Sequence, residues 1–341
     1  MPTVSSILKD YASLSVPDQN AVKTAIVSAV GVSTDMETFV ADERFKSGFI
    51  CPFCGKEHIV RHGKHDGKQR YRCKDCGRTF FATSNSIASG THKDIQTWEL
   101  YIDCMMNGYS LRKTAKICHI HYNTAFVWRH KILDALQLMA DDVVLDGMVE
   151  ADETFFDISY KGNHSKSKTF SMPRKPHKRG HQVKVKGISH EKVCVPCAVN
   201  RNGLSIAKAT NLGRVSTKDL HTIYDNRIKE GSTVITDKLN SYKRLCKANG
   251  LELVQLKSGK SKNGIYHIQH INNYHSQLKL FIARFKGVSS KYINNYLIWH
   301  NLVDYAKQEW AEKKMIFLGF VLTTILSEKY NSIPKRCALP I

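Results

Sequence analysis

Two aspartates, an asparagine and a lysine form the set of residues in this chain best suited to do chemistry together. Asp237 follows Ser232-Thr233-Val234-Ile235-Thr236, a β-branched run that predicts a buried strand ending on a carboxylate. A second acidic strand is predicted at Val149-Glu150-Ala151-Asp152-Glu153-Thr154, with Asp152 closing it. Farther on, Ile271, Leu278, Phe281, Ile282 and Phe285 recur at helical spacing, which predicts a helix from about His270 to Lys286. Asn272, Ser276 and Lys279 then stand at i, i+4 and i+7, on one face of that helix. Phosphodiester cleavage with two Mg²⁺ ions needs oxygen ligands clustered on rigid elements, with positions left open for substrate. Asp152, Asp237 and Asn272 are the candidate ligands, and Lys279 is the candidate contact to a phosphate. An amide in place of a third carboxylate removes one negative charge, so metal binding without substrate should be weaker. Glu150 and Glu153 are the next candidates for the third ligand.

A separate chemistry is written in the cysteines. Cys51-Pro52-Phe53-Cys54-Gly55 and Cys73-Lys74-Asp75-Cys76-Gly77 are two C-x2-C pairs with eighteen residues between them, the spacing of a four-thiolate zinc site. The glycine after each pair permits the tight turn that aims both sulfurs at one ion. Ile59 to Gly63 and Gln69 to Arg72 predict the strands of a zinc ribbon, and four protein ligands make the zinc structural. Cys194-Val195-Pro196-Cys197 is a third C-x2-C with no partner pair nearby, in a predicted strand from Lys192 to Val199; a metal or redox role is the minor reading. The remaining cysteines are scattered, and the whole pattern fits a reducing compartment better than a disulfide framework.

The balance of charge names a partner class. Lys and Arg number 51 against 30 Asp and Glu, a formal net charge of +21 over 341 residues, which favours a polyanion. The longest apolar run, Met315 to Leu326, is about twelve residues and too short to cross a bilayer. No signal-type segment follows Met1, so nucleic acid is the expected partner rather than membrane.

Taken in order, residues 1–45 read as helical, with a small-residue apolar run at Ala21 to Val32. The ribbon follows, its surface made basic by Arg61, Lys64, Lys68, Arg70, Arg72, Lys74 and Arg78. Ser84 to Gly90 reads as a polar linker. Asp94 to Asn107, Ser110 to Cys118 and a helix capped by Asn123 outline a helix-turn-helix, with Arg112, Lys113, Lys116, Arg129, His130 and Lys131 available to DNA. From Gly147 onward strands alternate with helices, an α/β order. A hairpin turn is signalled at Asn200-Arg201-Asn202-Gly203, and a helix at Ser216 or Thr217 to about Ile228. Tyr160 to Gly187 carries nine Lys and Arg and no acid, a loop able to hold a phosphate backbone beside the site.

At these motifs the chain resembles transposases of bacterial insertion sequences, in particular the subgroup with an N-terminal zinc ribbon and Asn as third catalytic residue. The matching pieces are Val149 to Thr154, Thr236-Asp237 before Asn240-Ser241-Tyr242, His267 to Lys279, Arg284 to Val288 and Tyr292 to Trp299. The resemblance implies a ribonuclease-H-like catalytic fold, Mg²⁺ dependence, a catalytic triad of Asp152, Asp237 and Asn272, and Lys279 as the accompanying lysine. It implies DNA, both element ends and target, as partner, homo-oligomers assembled on that DNA, and a bacterial cytoplasm with nucleoid association. The expected organisation is a helical segment at 1–45, zinc ribbon at 46–83, helix-turn-helix at 92–140, catalytic domain at 146–309 and tail at 310–341. Two other classes share the sequence features: a catalytically inactive DNA-binding regulator on the same fold, and a ribonuclease-H-like nuclease or resolvase that cuts without joining.

Overall fold

The computed structural model describes residues 4–15, 18–19, 21–22, 36–163, 170–173, 188–256, 262–305, 310–326 and 331–338. Most of the run from Ala21 to Val32, and most of the basic loop from Tyr160 to Gly187, lie outside them. The chain divides into two compact units, Met1–Phe126 with Lys314–Ser327 and Val127–Lys313 with Glu328–Ile341.

In the first unit, helices α1 (Val4–Ser13) and α2 (Met36–Phe45) precede the sheet β1 (Ile59–His65), β2 (Lys68–Cys73) and β3 (Thr79–Phe80), whose order is β1-β2-β3. The stretch 84–90 is packed, not a solvated linker. Ile87 and Ala88 are buried, the Ser84 hydroxyl accepts from Phe81 N, and Asn85 Nδ2 donates to Pro52 O. Short polar side chains that bond their own backbone make compact turns, and composition alone does not separate these from a linker.

Three helices follow: α3 (Ile95–Met106), α4 (Leu111–Ile117) and α5 (Tyr122–Asp141). Asp94 caps α3 by accepting from Thr97 N, and Ser110 caps α4 by accepting from Lys113 N. The predicted cap of α5, Asn123, is instead inside the helix, and the ring of His121 accepts its N–H at 3.2 Å. A histidine nitrogen therefore does the work expected of an amide oxygen. The apolar run 315–326 falls on α10 (Trp310–Thr323), where Phe317, Leu318, Val321 and Leu322 are buried. Among the described residues no helix is long and apolar enough to cross a membrane.

The second unit is built on a mixed sheet of β4 (Met148–Asp157), β5 (Lys192–Asn200), β6 (Ser205–Ala207), β7 (Asn211–Leu212), β8 (Thr233–Thr236) and β9 (Glu252–Gln255). The order is β6-β5-β4-β8-β9, with β7 also paired to β5. Strands β4, β8 and β9 run parallel, while β5 is antiparallel to β4 and β6. Helices α6 (Thr217–Tyr224) and α7 (Asn240–Ala248) cover one face. They bury Leu220, Ile223, Tyr242 and Leu245 against Val149, Ala151, Cys194 and Val234. Helices α8 (Gln269–Ala283) and α9 (Ile293–Trp299) cover the other, with Ile271, Tyr274, Leu278 and Leu297 against Val193, Val195, Cys197 and Val199. The result is a ribonuclease-H-like α/β domain.

Two expectations change here. Helix α6 is shorter than predicted: a Ser216–Asp219 capping box starts it, but it stops at Tyr224, and Asn226 turns the chain with φ of 61°. Asp152 does not close β4, which continues to Asp157 because β5 pairs with it all the way to Asp157↔Lys192. The strand that ends near Asp152 is its neighbour β8.

Candidate functional site

The parallel register of β4 and β8 sets the acidic residues. Its last pair is Glu150↔Ile235, so two residues farther along, Asp152 and Asp237 follow on adjacent strands. Opposite β5, Asp152 pairs with Cys197 and Glu150 with Val199. Alternation therefore turns Glu150 and Asp152 to the α8 face, and Glu153 to the α7 face. There the Tyr242 hydroxyl donates to Glu153 Oε1 at 2.7 Å.

Burial pushes the Asp152 carboxyl up to about 6, and the neighbouring charge of Asp237 adds to that while Lys279 opposes it. Glu153 is likewise pushed up to about 7 by burial, against the hydrogen bond from Tyr242. A half-buried aspartate repelled by a second one is a site that a divalent cation stabilises, and a proton competes for Asp152 below about pH 6. The residues present thus fit an oxygen-binding cation such as Mg²⁺.

Helix α8 packs on this face of the sheet, against β4 and β5. Asn272, Ser276 and Lys279 are exposed on it, and the Ser276 hydroxyl donates back to Asn272 O at 3.1 Å. One residue was missed by sequence reasoning. His275, buried on the same helix, places Nδ1 3.9 Å from Asp152 Oδ2. Burial, then the charge of Lys279, pushes this imidazole down to about 4, so at neutral pH it is uncharged and adds no positive charge beside Asp152. Its position three residues after Asn272 and four before Lys279 was the available signal.

In the ribbon the four sulfurs of Cys51, Cys54, Cys73 and Cys76 converge within 4.8 Å of one another. Cys51 and Cys76 are 3.8 Å apart and Cys54 and Cys73 3.7 Å. A tetrahedron with Zn–S of about 2.3 Å has edges of about 3.8 Å, so the cluster fits zinc. Each knuckle is closed as its glycine requires, with Gly55 N donating to Cys51 O and Gly77 N to Cys73 O, both glycines at φ of 71°.

The third pair makes no site. Cys194 belongs to the core under α6 and α7, and Cys197 to the core under α8 and α9. Three residues apart on a straight strand, their thiols point to opposite faces of the sheet.

The exposed face of α4 carries Arg112, Lys113 and Lys116, but the cations predicted on α5 are differently used. Arg129 is 1% exposed, with its guanidinium 4.7 Å from the ring centre of Trp299 and 6.0 Å from that of Phe285. His130 is stacked on Tyr292 at 4.2 Å, and burial pushes it down to about 3. Neither can read DNA from there.

Residues 144–298 match the ISXO2-like transposase domain and residues 34–79 the transposase zinc-ribbon domain. A curated relative, an uncharacterized protein in transposable element ISH50 of Halobacterium salinarum, is 24% identical over 261 residues, 76% of this chain and 86% of its own length. Among solved structures, the simian T-cell lymphotropic virus intasome in complex with PP2A regulatory subunit B56 gamma aligns at 9% identity and a TM-score of 0.28. That alignment covers 47% of this chain and about half, 49%, of the other. The Mos1 strand transfer complex aligns at 10% identity and a TM-score of 0.28, over 68% and 77% of the two chains. With a transposase zinc ribbon followed by an ISXO2-like transposase domain, the chain is similar to DNA transposases over both matched regions.

Proposed function

We propose that this transposase binds the ends of its insertion sequence and cuts and joins DNA strands at a site made by Asp152, Asp237 and Asn272. The observation that supports the reading is the parallel register of β4 and β8, which leads on to Asp152 and Asp237 on neighbouring strands, with His275 of α8 3.9 Å from Asp152. Two Mg²⁺ ions bound there would supply activation of the attacking hydroxyl and stabilisation of the leaving oxygen. The protein's own part is placement: Asp152 and Asp237 are fixed by the sheet, Asn272 offers a neutral amide oxygen from α8, and Lys279, two turns on, holds a DNA phosphate. Copies of the chain assemble on the paired ends.

Strand cleavage and joining on a fragment carrying an element end, with and without Mg²⁺, test this. Asp152→Asn should lower both by about 10³ while leaving end binding within a few-fold, because binding rests on basic surfaces. Wild-type cleavage by Asp152→Asn would place the chemistry elsewhere, and cleavage without joining would make the protein a nuclease.

End binding is assigned to the ribbon and to α4. Each phosphate contact steepens the fall of log K with log salt by about 0.9, so the Arg112→Ala, Lys113→Ala, Lys116→Ala triple variant should flatten the slope by about 2 to 3. An unchanged slope would remove α4 from the interface. Deleting the whole predicted region 92–140 is not a usable alternative, since Ile132, Leu133 and Leu136 of α5 are core residues of the catalytic unit.

A further inference from the structure

Glu150 stands two residues before Asp152 on the same face of β4 and is 1% exposed. A carboxylate so buried must find partners for both oxygens. Oε2 accepts the backbone N–H groups of His270 at 2.9 Å and Ile271 at 3.1 Å. Oε1 meets His270 Nδ1 at 2.7 Å, and His267 Nδ1 comes within 3.1 Å of the same oxygen. Those two N–H groups belong to the first turn of α8, and the residue before that helix, Ile268, has no side chain able to cap it. The cap comes instead from the adjacent strand, with a negative charge at the positive end of the helix dipole.

We propose that Glu150 and His270, braced by His267, clamp the first turn of α8 to β4 and so hold Asn272 in register with Asp152; they are positioning residues for strand cleavage. The inference rests on the reading of Asn272 as a ligand. Asn272 is the residue immediately after Ile271, so the clamp closes one peptide before the group it places. An uncapped first turn frays, and a displacement of about 1 Å at a reacting centre costs on the order of 10² in rate.

The same three side chains bring their ligand atoms within 4.8 Å of one another, as a metal site would. Arg201 decides against that use. Its Nη2 donates to Ile265 O at 2.6 Å and lies 3.4 Å from His267 Nε2. A guanidinium only donates, so Nε2 must accept, and the ring proton is on Nδ1, 3.1 Å from Glu150 Oε1 but not aligned for a hydrogen bond to it. A cation at Nδ1 would force an N–H onto Nε2, against the arginine.

Single-turnover cleavage of an end fragment at saturating DNA tests the clamp in the full-length protein. Glu150→Gln keeps an acceptor for the helix amides but turns an NH₂ towards the histidine donors; its rate should fall by about 10- to 100-fold. His270→Ala, at a half-exposed position that leaves folding unaffected, should fall about tenfold, and His270→Asn, which restores an N–H near the place of Nδ1, should recover to within about threefold. The Kd for end DNA should hold in all three, while the amides of residues 270 and 271 should exchange faster in Glu150→Gln and His270→Ala. Wild-type rates in those two variants would overturn the clamp. So would a second equivalent of zinc or manganese in the wild type that His270→Ala loses, since the trio would then be a metal site. Asn272→Ala run alongside keeps the two readings apart. A wild-type rate there removes Asn272 from the site, whereas a dead Asn272→Ala beside an active Glu150→Gln and His270→Ala removes the clamp alone.

Discussion

Asn272→Ala should lower strand cleavage on an end fragment by on the order of 10²–10³, with fold and end binding intact. The side chain is exposed on α8, so its loss opens no cavity, and what would disappear is the amide oxygen proposed as the third ligand. The informative companions are Asn272→Asp and Asn272→Glu. Each puts a third charge beside Asp152, whose carboxyl is already pushed up to about 6 by burial and the proximity of Asp237. The metal-free site then becomes more repulsive, and a cation relieves more repulsion when it binds. Both variants should need less Mg²⁺ for half-maximal cleavage yet reach only part of the wild-type rate, because Lys279 and the uncharged His275 suit a neutral residue. A Mg²⁺ titration of cleavage reads both quantities, and a wild-type rate for Asn272→Ala would end the assignment.

Cys51→Ser should cost the ribbon both its zinc and its fold. The hydrophobic cluster of this module consists of Cys51, Tyr71, Cys73 and Phe80, with Phe45, Ile59 and Cys76 packed around it. Two of its four buried members, Cys51 and Cys73, belong to the four-cysteine cluster that fits zinc. Losing the ion therefore unpins the core that a small module would otherwise fall back on. The binding free energy of a structural zinc, about 10–16 kcal/mol, is in such a module the free energy of folding. Metal analysis should fall from one zinc per chain to near none, with the amides of β1 and β2 losing protection from exchange. Full zinc content in Cys51→Ser would show that the four thiolates are not the ligand set.

How far these features could be read beforehand depended on whether their cause was local. The knuckles are local, two cysteines and a glycine within five residues, and so is the periodicity that put Asn272, Ser276 and Lys279 on one face. The hairpin at 200–203 and the cap at Ser110 are also decided by neighbours in sequence. The misses each have a distant cause. Asp152 looked like a strand end because acids seldom lie inside a sheet; β5, more than forty residues away, extends the strand past it. Arg129 looked like a DNA contact because buried arginines are rare, and the rings that accept it lie at 285 and 299. Glu150 looked like a spare carboxylate because its partners begin at residue 267.

The separation of Cys194 and Cys197 across β5 has a practical use. Burial pushes the first thiol up to about 12 and the second well above its ordinary range, so neither reacts while the sheet is covered on both sides. One sits beneath the α6–α7 layer and the other beneath α8–α9, which makes them two natural reporters in a single short peptide. Residue-resolved alkylation in rising denaturant would record when each layer lifts away. Departure of the helix bearing Asn272 could then be timed separately from loss of the layer behind the sheet, with no cysteine introduced into the protein.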